Sequence, residues 1–513
     1  MSKSLFRTTS TVSGITSISR VLGFARDMLI AHLFGASYAI DAFYVAYRIP
    51  NLMRALFAEG AFAQAFVPVL SEYRQKRSLE EVKQLIRCLQ GNLTVVLCII
   101  LAIAYLFTPY LTGLFAPGYL HDPARFALTT HMLRITFPYM LFICLTAFYS
   151  SILNTYGFFS TASLTPVWLN VVMIVTALWV APHMPVPVVA IAWGVFFAGV
   201  AQWLFQMPAL RRNGFLLWPK VNWQNEGVKR VLKLLLPALF GASVAQIGVL
   251  IDTGFASFLP VGSVTWLYYS DRLCAFPLGI FGVALATVVL PSLARKHTDA
   301  AHEDYSTILD WALRCVLIIA MPAAVGLFML AVPLFTALFQ YGRFTTHDAI
   351  MSSLSLKAFA FGLPGFMMVK VLASAFYSRQ NVKTPVRIAV CALMLNVTLN
   401  FILIGPLAHA GLALATTLSS SFNAILLFTV LWRKRIFQPS KGWLKYFIRL
   451  LAANGAIVIL LWFLNPAPAV WFGWNWVSRL IHLFEFVLLA VACYFICLRL
   501  LGLRLRDFRA HAA

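Results

Sequence analysis

Long, nearly uninterrupted apolar stretches recur from one end of this chain to the other, and several run to eighteen residues or more. A helix of that length crosses a hydrocarbon core of about 30 Å. Within such a core every backbone N–H and C=O must be paired internally, which leaves only helices and closed barrels. Barrel strands alternate with period two over roughly ten residues, and that pattern is missing here. The chain therefore reads as an all-α polytopic membrane protein. Composition agrees: of 513 residues, 61% are hydrophobic and 11% charged, against about 25% charged in soluble domains. A soluble globular enzyme and a disordered chain are both excluded.

The hydropathy pattern predicts fourteen spans, near 11–35, 40–70, 89–116, 127–152, 164–181, 188–207, 234–259, 264–293, 315–339, 349–378, 386–405, 410–432, 447–464 and 480–501. Net charge is +23, from 40 basic and 17 acidic residues. With both termini placed in the cytoplasm, 29 of the basic residues fall on that side, counting Arg387, Arg449 and Arg499 at the cytoplasmic ends of their spans, and three, Arg125, Arg343 and Arg479, on the other. This asymmetry is the positive-inside pattern. It accounts for the basic excess and removes the case for nucleic-acid binding. The eight cysteines form no CxxC pair and no cluster with histidine, so neither disulfides nor zinc are expected. Met1 to Ser10 lacks the apolar core of a removable signal peptide.

An internal repeat is visible. Ala147-Phe148-Tyr149-Ser150 near the end of span 4 returns as Ala375-Phe376-Tyr377-Ser378 near the end of span 10. Val67-Pro68-Val69-Leu70 resembles Leu290-Pro291-Ser292-Leu293 at a similar shift of six spans. An even shift preserves direction, so the halves are expected to be parallel repeats, an architecture of transporters. The expected organisation is an N-terminal lobe over 1–210, a C-terminal lobe over 211–435, and spans 13 and 14 with a tail over 436–513.

Charges inside spans are costly and mark cavities or partners. Span 1 carries Arg20, Arg26 and Asp27; span 2 carries Asp41, Arg48, Arg54 and Glu59; span 8 carries Asp271 and Arg272. Guanidinium forks stay charged and bind phosphate oxygens in pairs, so an arginine-lined cavity suits an anionic phosphate or pyrophosphate headgroup. The structural alternative is internal pairing with Asp27, Asp41 or Asp271, or snorkelling to an interface. Arg20 and Arg26 stand about 240° apart on an ideal helix and do not share a face without distortion. A sparser polar group, Asp252, Asn396, Asn400 and Thr416, offers oxygen ligands to a hard monovalent cation; the alternative is interhelical hydrogen bonding. Lys357 and Lys370 in span 10 are open to either reading. No phosphate-binding loop, HExxH or GxSxG motif is present, so an enzyme is not expected. Asn92-Leu93-Thr94 matches a glycosylation sequon but opens a span.

Several motifs together resemble the MurJ/MviN family of lipid II flippases. They are Ser19-Arg20-Val21-Leu22-Gly23-Phe24-Ala25-Arg26-Asp27, Asp41-Ala42-Phe43 with Pro50-Asn51-Leu52 and Arg54, Phe57-Ala58-Glu59-Gly60, and Tyr268-Tyr269-Ser270-Asp271-Arg272. The resemblance implies a fold of the MOP exporter type: fourteen transmembrane helices, two six-helix lobes around a central cavity, and two further helices forming a groove for a polyprenyl tail. It implies export of the lipid-linked peptidoglycan precursor, lipid II, to the outer leaflet of a bacterial inner membrane by alternating access, for cell wall biogenesis. It places Ser19, Arg20, Arg26, Asp41, Arg54 and Arg272 at the substrate and gives Glu59 a part in gating. It likens Asp252, Asn396, Asn400 and Thr416 to a sodium site, though some relatives carry an acid where Asn400 stands; Na+ or H+ is the candidate coupling ion and no cofactor is expected. Implied partners are lipid II, membrane lipid and cell-wall synthesis proteins. Readings that stay open are another MOP-type exporter, of drugs or of a different lipid-linked glycan, and a membrane-embedded glycosyltransferase.

Overall fold

The computed structural model describes residues 3–57, 61–282 and 302–503. These residues are helical almost throughout, with no strand among them. They divide into two compact units, Met1–Gly262 and Ser263–Ala513.

The first unit contains α1 (Lys3–Phe34), α2 (Tyr38–Phe57), α3 (Ala61–Lys76), α4 (Leu79–Leu106) and α5 (Thr108–Phe115). It continues with α6 (Pro123–Thr136), α7 (Tyr139–Thr155), α8 (Phe159–Val175), α9 (Pro187–Arg212) and α10 (Glu226–Ala256). Expected span 2 is thus carried by two helices, and spans 3 and 4 are each broken once. Pro109 opens α5 and Pro138 stands at the start of α7; neither ring can donate to the preceding turn, so the ladder ends there. Helix α4 begins ten residues before the apolar stretch. Ser78 and Glu81 form a reciprocal capping box that satisfies its first donors,.

Helix α10 falls within the first of these units. Helix α10 packs on α3, where Val228, Val231 and Leu235 join Phe66, Leu70, Leu85 and Phe148 in one buried cluster. At the exposed end of that contact Arg230 donates to Glu72 at 2.7 Å, and this hydrogen bond holds the Glu72 carboxyl below its usual range.

The segment between α9 and α10 is docked on α4. Lys220 N–H donates to the Arg87 carbonyl at 3.0 Å. The Asn92 side chain closes a two-way pair with the backbone of Asn222, at 2.9 and 3.0 Å. Asn92 is buried, so the sequon is a structural asparagine. A Cβ on Gly91 would overlap the Lys220 backbone. Gly91→Ala should therefore cost about 1–3 kcal/mol from the forced shift, although alanine improves helix propensity by about 1 kcal/mol. The thermal midpoint of the purified protein reads the sign, and a rise would mean that the segment is not held there.

The second unit contains α11 (Ser263–Pro277), α12 (His302–Met329), α13 (Ala331–Leu338) and α14 (Thr346–Tyr377). It ends with α15 (Lys383–Arg433), α16 (Trp443–Leu464), α17 (Pro468–Gly473) and α18 (Trp476–Leu500). Helix α15 is 51 residues long and carries a non-helical break at Ala408, φ 47° and ψ −129°. At about 1.5 Å per residue it is more than twice the length of one crossing, so it supplies both expected spans 11 and 12. The last two long helices pack on α12. Tyr446 and Tyr494 donate their hydroxyls to the carbonyls of Arg314 and Ile318, each at 2.7 Å, above a core of Leu317, Leu450, Ile457 and Leu498. Among the described residues nine helices are long and apolar enough to cross a membrane. Of the twin Ala-Phe-Tyr-Ser motifs, the first lies within the second half of α7 in one unit and the second closes α14 in the other.

Candidate transport site

In the first unit, the arginine signature of α1 is folded onto α8. Arg26 is buried. Its Nε and one terminal nitrogen donate to Asp27 Oδ1 at 3.0 and 2.7 Å, and the other terminal nitrogen donates to Asn170 Oδ1 at 3.1 Å. Asn170 returns a hydrogen bond to the Ser19 carbonyl at 3.0 Å. Gly23 makes room, since a Cβ there would touch the Asn170 side chain at 3.5 Å. Arg20, by contrast, is exposed. The angular separation noted in the sequence thus corresponds to two environments: Arg26 in a closed network, Arg20 at the surface. Arg54 is half-buried and donates Nε to Asn51 at 2.9 Å, three residues back and beside Pro50, across which α2 runs on as helix. Arg48 is half-buried. Glu59 lies outside the described residues.

Asp41 sits in the first turn of α2 and is wholly buried. One of its oxygens accepts from Arg125 at 2.6 Å and from the Gly262 N–H at 2.7 Å. The Arg125 guanidinium lies 4.0 Å from the Tyr119 ring centroid. Burial pushes the Tyr119 phenol up, which keeps the ring neutral as a face for the cation. Arg125 had only been counted as a loop charge. Its signal in the sequence was being one of three basic residues on the sparsely charged side.

In the second unit Arg272 is exposed on α11. It donates Nε to Tyr268 at 3.2 Å, with its guanidinium 5.3 Å from that ring. The polar group of expected spans 11 and 12 forms a chain. Asn400 Nδ2 donates to Asn396 Oδ1 at 3.3 Å, Asn396 Nδ2 to Thr416 Oγ1 at 3.3 Å, and Thr416 to the Leu412 carbonyl at 3.0 Å. The three uncharged side chains are thereby linked across the Ala408 break by interhelical hydrogen bonds,. Asp252, half-buried on α10, belongs to the other unit. Among the described residues no three His, Cys, Asp or Glu come together as a metal site.

Two further polar anchors escaped the sequence reading. Asp310 on α12 accepts from Trp443 Nε1 at 2.6 Å, from Ser440 N–H at 3.0 Å and from Arg314 at 2.8 Å. Arg479, another cation of the sparsely charged side, is buried and donates to the carbonyls of Trp471, Phe472, Thr336 and Gln340.

This chain matches the family described as Lipid II flippase MurJ over residues 30–480. It is 44% identical to a probable lipid II flippase MurJ of Vibrio cholerae, over 99% of this chain and 98% of that one. It is 41% identical to the lipid II flippase MurJ of Burkholderia cenocepacia, over 99% of each. Among solved structures, a lipid II flippase MurJ in an inward closed conformation superposes with a TM-score of 0.81 at 26% identity, covering 95% of this chain and 97% of that one. An inward-facing multidrug resistance MATE transporter of the MOP superfamily reaches 0.69 at 16% identity, over 83% of this chain and 97% of that one, a likeness of fold alone. With the match spanning most of its length, the chain belongs to the MurJ family of lipid II flippases, which are membrane transporters and not enzymes.

Proposed function

We propose that this chain carries lipid II from the cytoplasmic to the outer leaflet of a bacterial inner membrane by alternating access, with the headgroup phosphates held by arginine. The family match along nearly the whole chain carries this reading. Arg272 and Arg20, both exposed, are the residues poised to meet an anionic headgroup, with the half-buried Arg54 beside them in role. Arg26 and Asp41 hold internal pairs in this conformation, and the same pairs would have to open for either to reach substrate. Glu59 is assigned to gating by its motif alone.

Fourteen crossings follow from pairing the broken helices with the expected spans, in two six-span lobes, with α16 and α18 supplying the tail groove. Both termini are then cytoplasmic. Burial of Arg125 and Arg479 supports that orientation, because both are held by protein partners and, among the described residues, Arg343 is the exposed arginine on the outer side,. No nucleotide-binding motif exists, so the return step draws on membrane potential or on a Na+ or H+ gradient. Cell-wall synthesis proteins that consume the product are the expected partners.

The test is lipid II exposure at the outer leaflet in cells where this chain replaces the resident flippase and is then depleted. Exposure should fall while the precursor accumulates inside. Unchanged exposure with arrested glycan polymerisation would overturn the reading in favour of a polymerising or scaffolding role.

A further inference from the structure

Lys357 is a basic residue within a membrane-crossing helix, yet among the described residues it has no hydrogen bond and no ion pair. Its nearest charge-relevant neighbour is the Phe328 ring, 5.8 Å from the ammonium. A cation in that position is costly unless it reaches water or a counterion. Its depth can be read from its neighbours. The cavity it lines, about 370 Å³, is also walled by Phe328 and Met329 at the end of α12, by Val332 and Pro333 of α13, by Trp462 near the end of α16, and by the Asn465–Pro468 connection. Helix α16 and its connection to the next helix therefore end where Lys357 sits, and α14, at 32 residues about 48 Å long at the usual rise, overshoots a core of about 30 Å. Trp462 is 73% exposed, as an interfacial aromatic is. Lys357 thus lies at headgroup level.

It also lies on a ridge. A second cavity of about 480 Å³ lies next to the first, lined by Leu354, Phe361, Leu407, His409, Leu414 and the Ala408 break, and Lys357 borders both. One cation flanked by two apolar grooves has the outline of a lipid with one phosphate and two chains. We propose that Lys357 binds the phosphate of an anionic diacyl phospholipid, with one acyl chain in each groove. The Asn465 amide in the first groove is already committed, donating to the Met329 carbonyl and accepting from Trp471. His409 in the second groove is likewise engaged, its Nδ1 hydrogen-bonded with Ser355 Oγ at 2.9 Å, so Lys357 is the polar element that selects the headgroup, and the net negative charge of the lipid supplies what the protein leaves out.

Titration of the full-length, delipidated protein with phosphatidylglycerol, read by native mass spectrometry, tests this. Lys357→Met should weaken the tightest binding event about tenfold or more, the scale of one charge-assisted hydrogen bond, while Lys357→Arg keeps it within about threefold. Methionine matches the lysine stem in shape, so the fold should survive, and an unchanged thermal midpoint checks that. Ala358→Phe, which fills the second groove, should weaken phosphatidylglycerol and leave undecaprenyl phosphate, a single-chain probe, unaffected. Equal phosphatidylglycerol binding by wild type and Lys357→Met overturns the site. Loss of undecaprenyl phosphate but not phosphatidylglycerol in Lys357→Met overturns the two-chain occupant.

Discussion

Arg125→Met should destabilise the first unit by about 3–5 kcal/mol, the cost of leaving a buried carboxylate without its partner. Asp41 is 0% exposed and Arg125 5%, so water cannot replace the lost ion pair. The substitution also removes the cation from the Tyr119 face. Asp41→Asn should cost a comparable amount by stranding the guanidinium, although the amide oxygen can still accept from the Gly262 N–H. The double variant Asp41→Asn with Arg125→Met should recover most of the loss, because a buried pair replaced as a whole is close to neutral. Unfolding midpoints of the purified proteins in one detergent decide it. If the single variants melt with wild type, or if the double variant is the sum of the singles, then the pair is not what holds α2, α6 and the end of the first unit together.

This pair also shows what could be read in advance. Asp41 was visible as an acid at the head of an apolar helix and as part of a motif. Arg125 stands 84 residues away in the chain, and no local pattern announces which loop cation turns inward. Asn170 was silent for the same reason: a lone asparagine in an apolar helix carries no label until its partners Arg26 and Ser19 are placed beside it. Apolar length gave the helices and separated expected spans 11 and 12 near residues 405–410. The residue that absorbs the reversal is nevertheless Ala408, at φ 47°, where nothing in its side chain foretells a left-handed backbone. Likewise the apolar face of Val228, Val231 and Leu235 on α10 fits α3, a partner that nothing local in α10 names. Tertiary pairing decides such points, and tertiary pairing is what a single sequence states least directly.

The contrast between Arg272 and Arg26 gives the sharper functional test. Arg272 is exposed and its Nε leans on the Tyr268 hydroxyl, so its removal should leave the fold intact. If it binds a headgroup phosphate, Arg272→Ala loses charge-assisted hydrogen bonds worth about 1.5–3 kcal/mol, or roughly 10- to 150-fold in binding. Outer-leaflet exposure of lipid II should fall accordingly at an unchanged melting midpoint. Arg272→Lys should be intermediate, since the charge stays but the two-pronged geometry goes. Arg26→Ala should lower transport and stability together, because it strands buried Asp27 and frees the Asn170 oxygen. Adding Asp27→Asn removes the stranded charge and should restore stability. Transport in that double variant then isolates the role of Arg26: continued failure at restored stability means that Arg26 leaves its pair to meet substrate, whereas recovery means that it is a strut between α1 and α8. Wild-type exposure in Arg272→Ala would remove Arg272 from the substrate path, and with it the arginine best placed to act there.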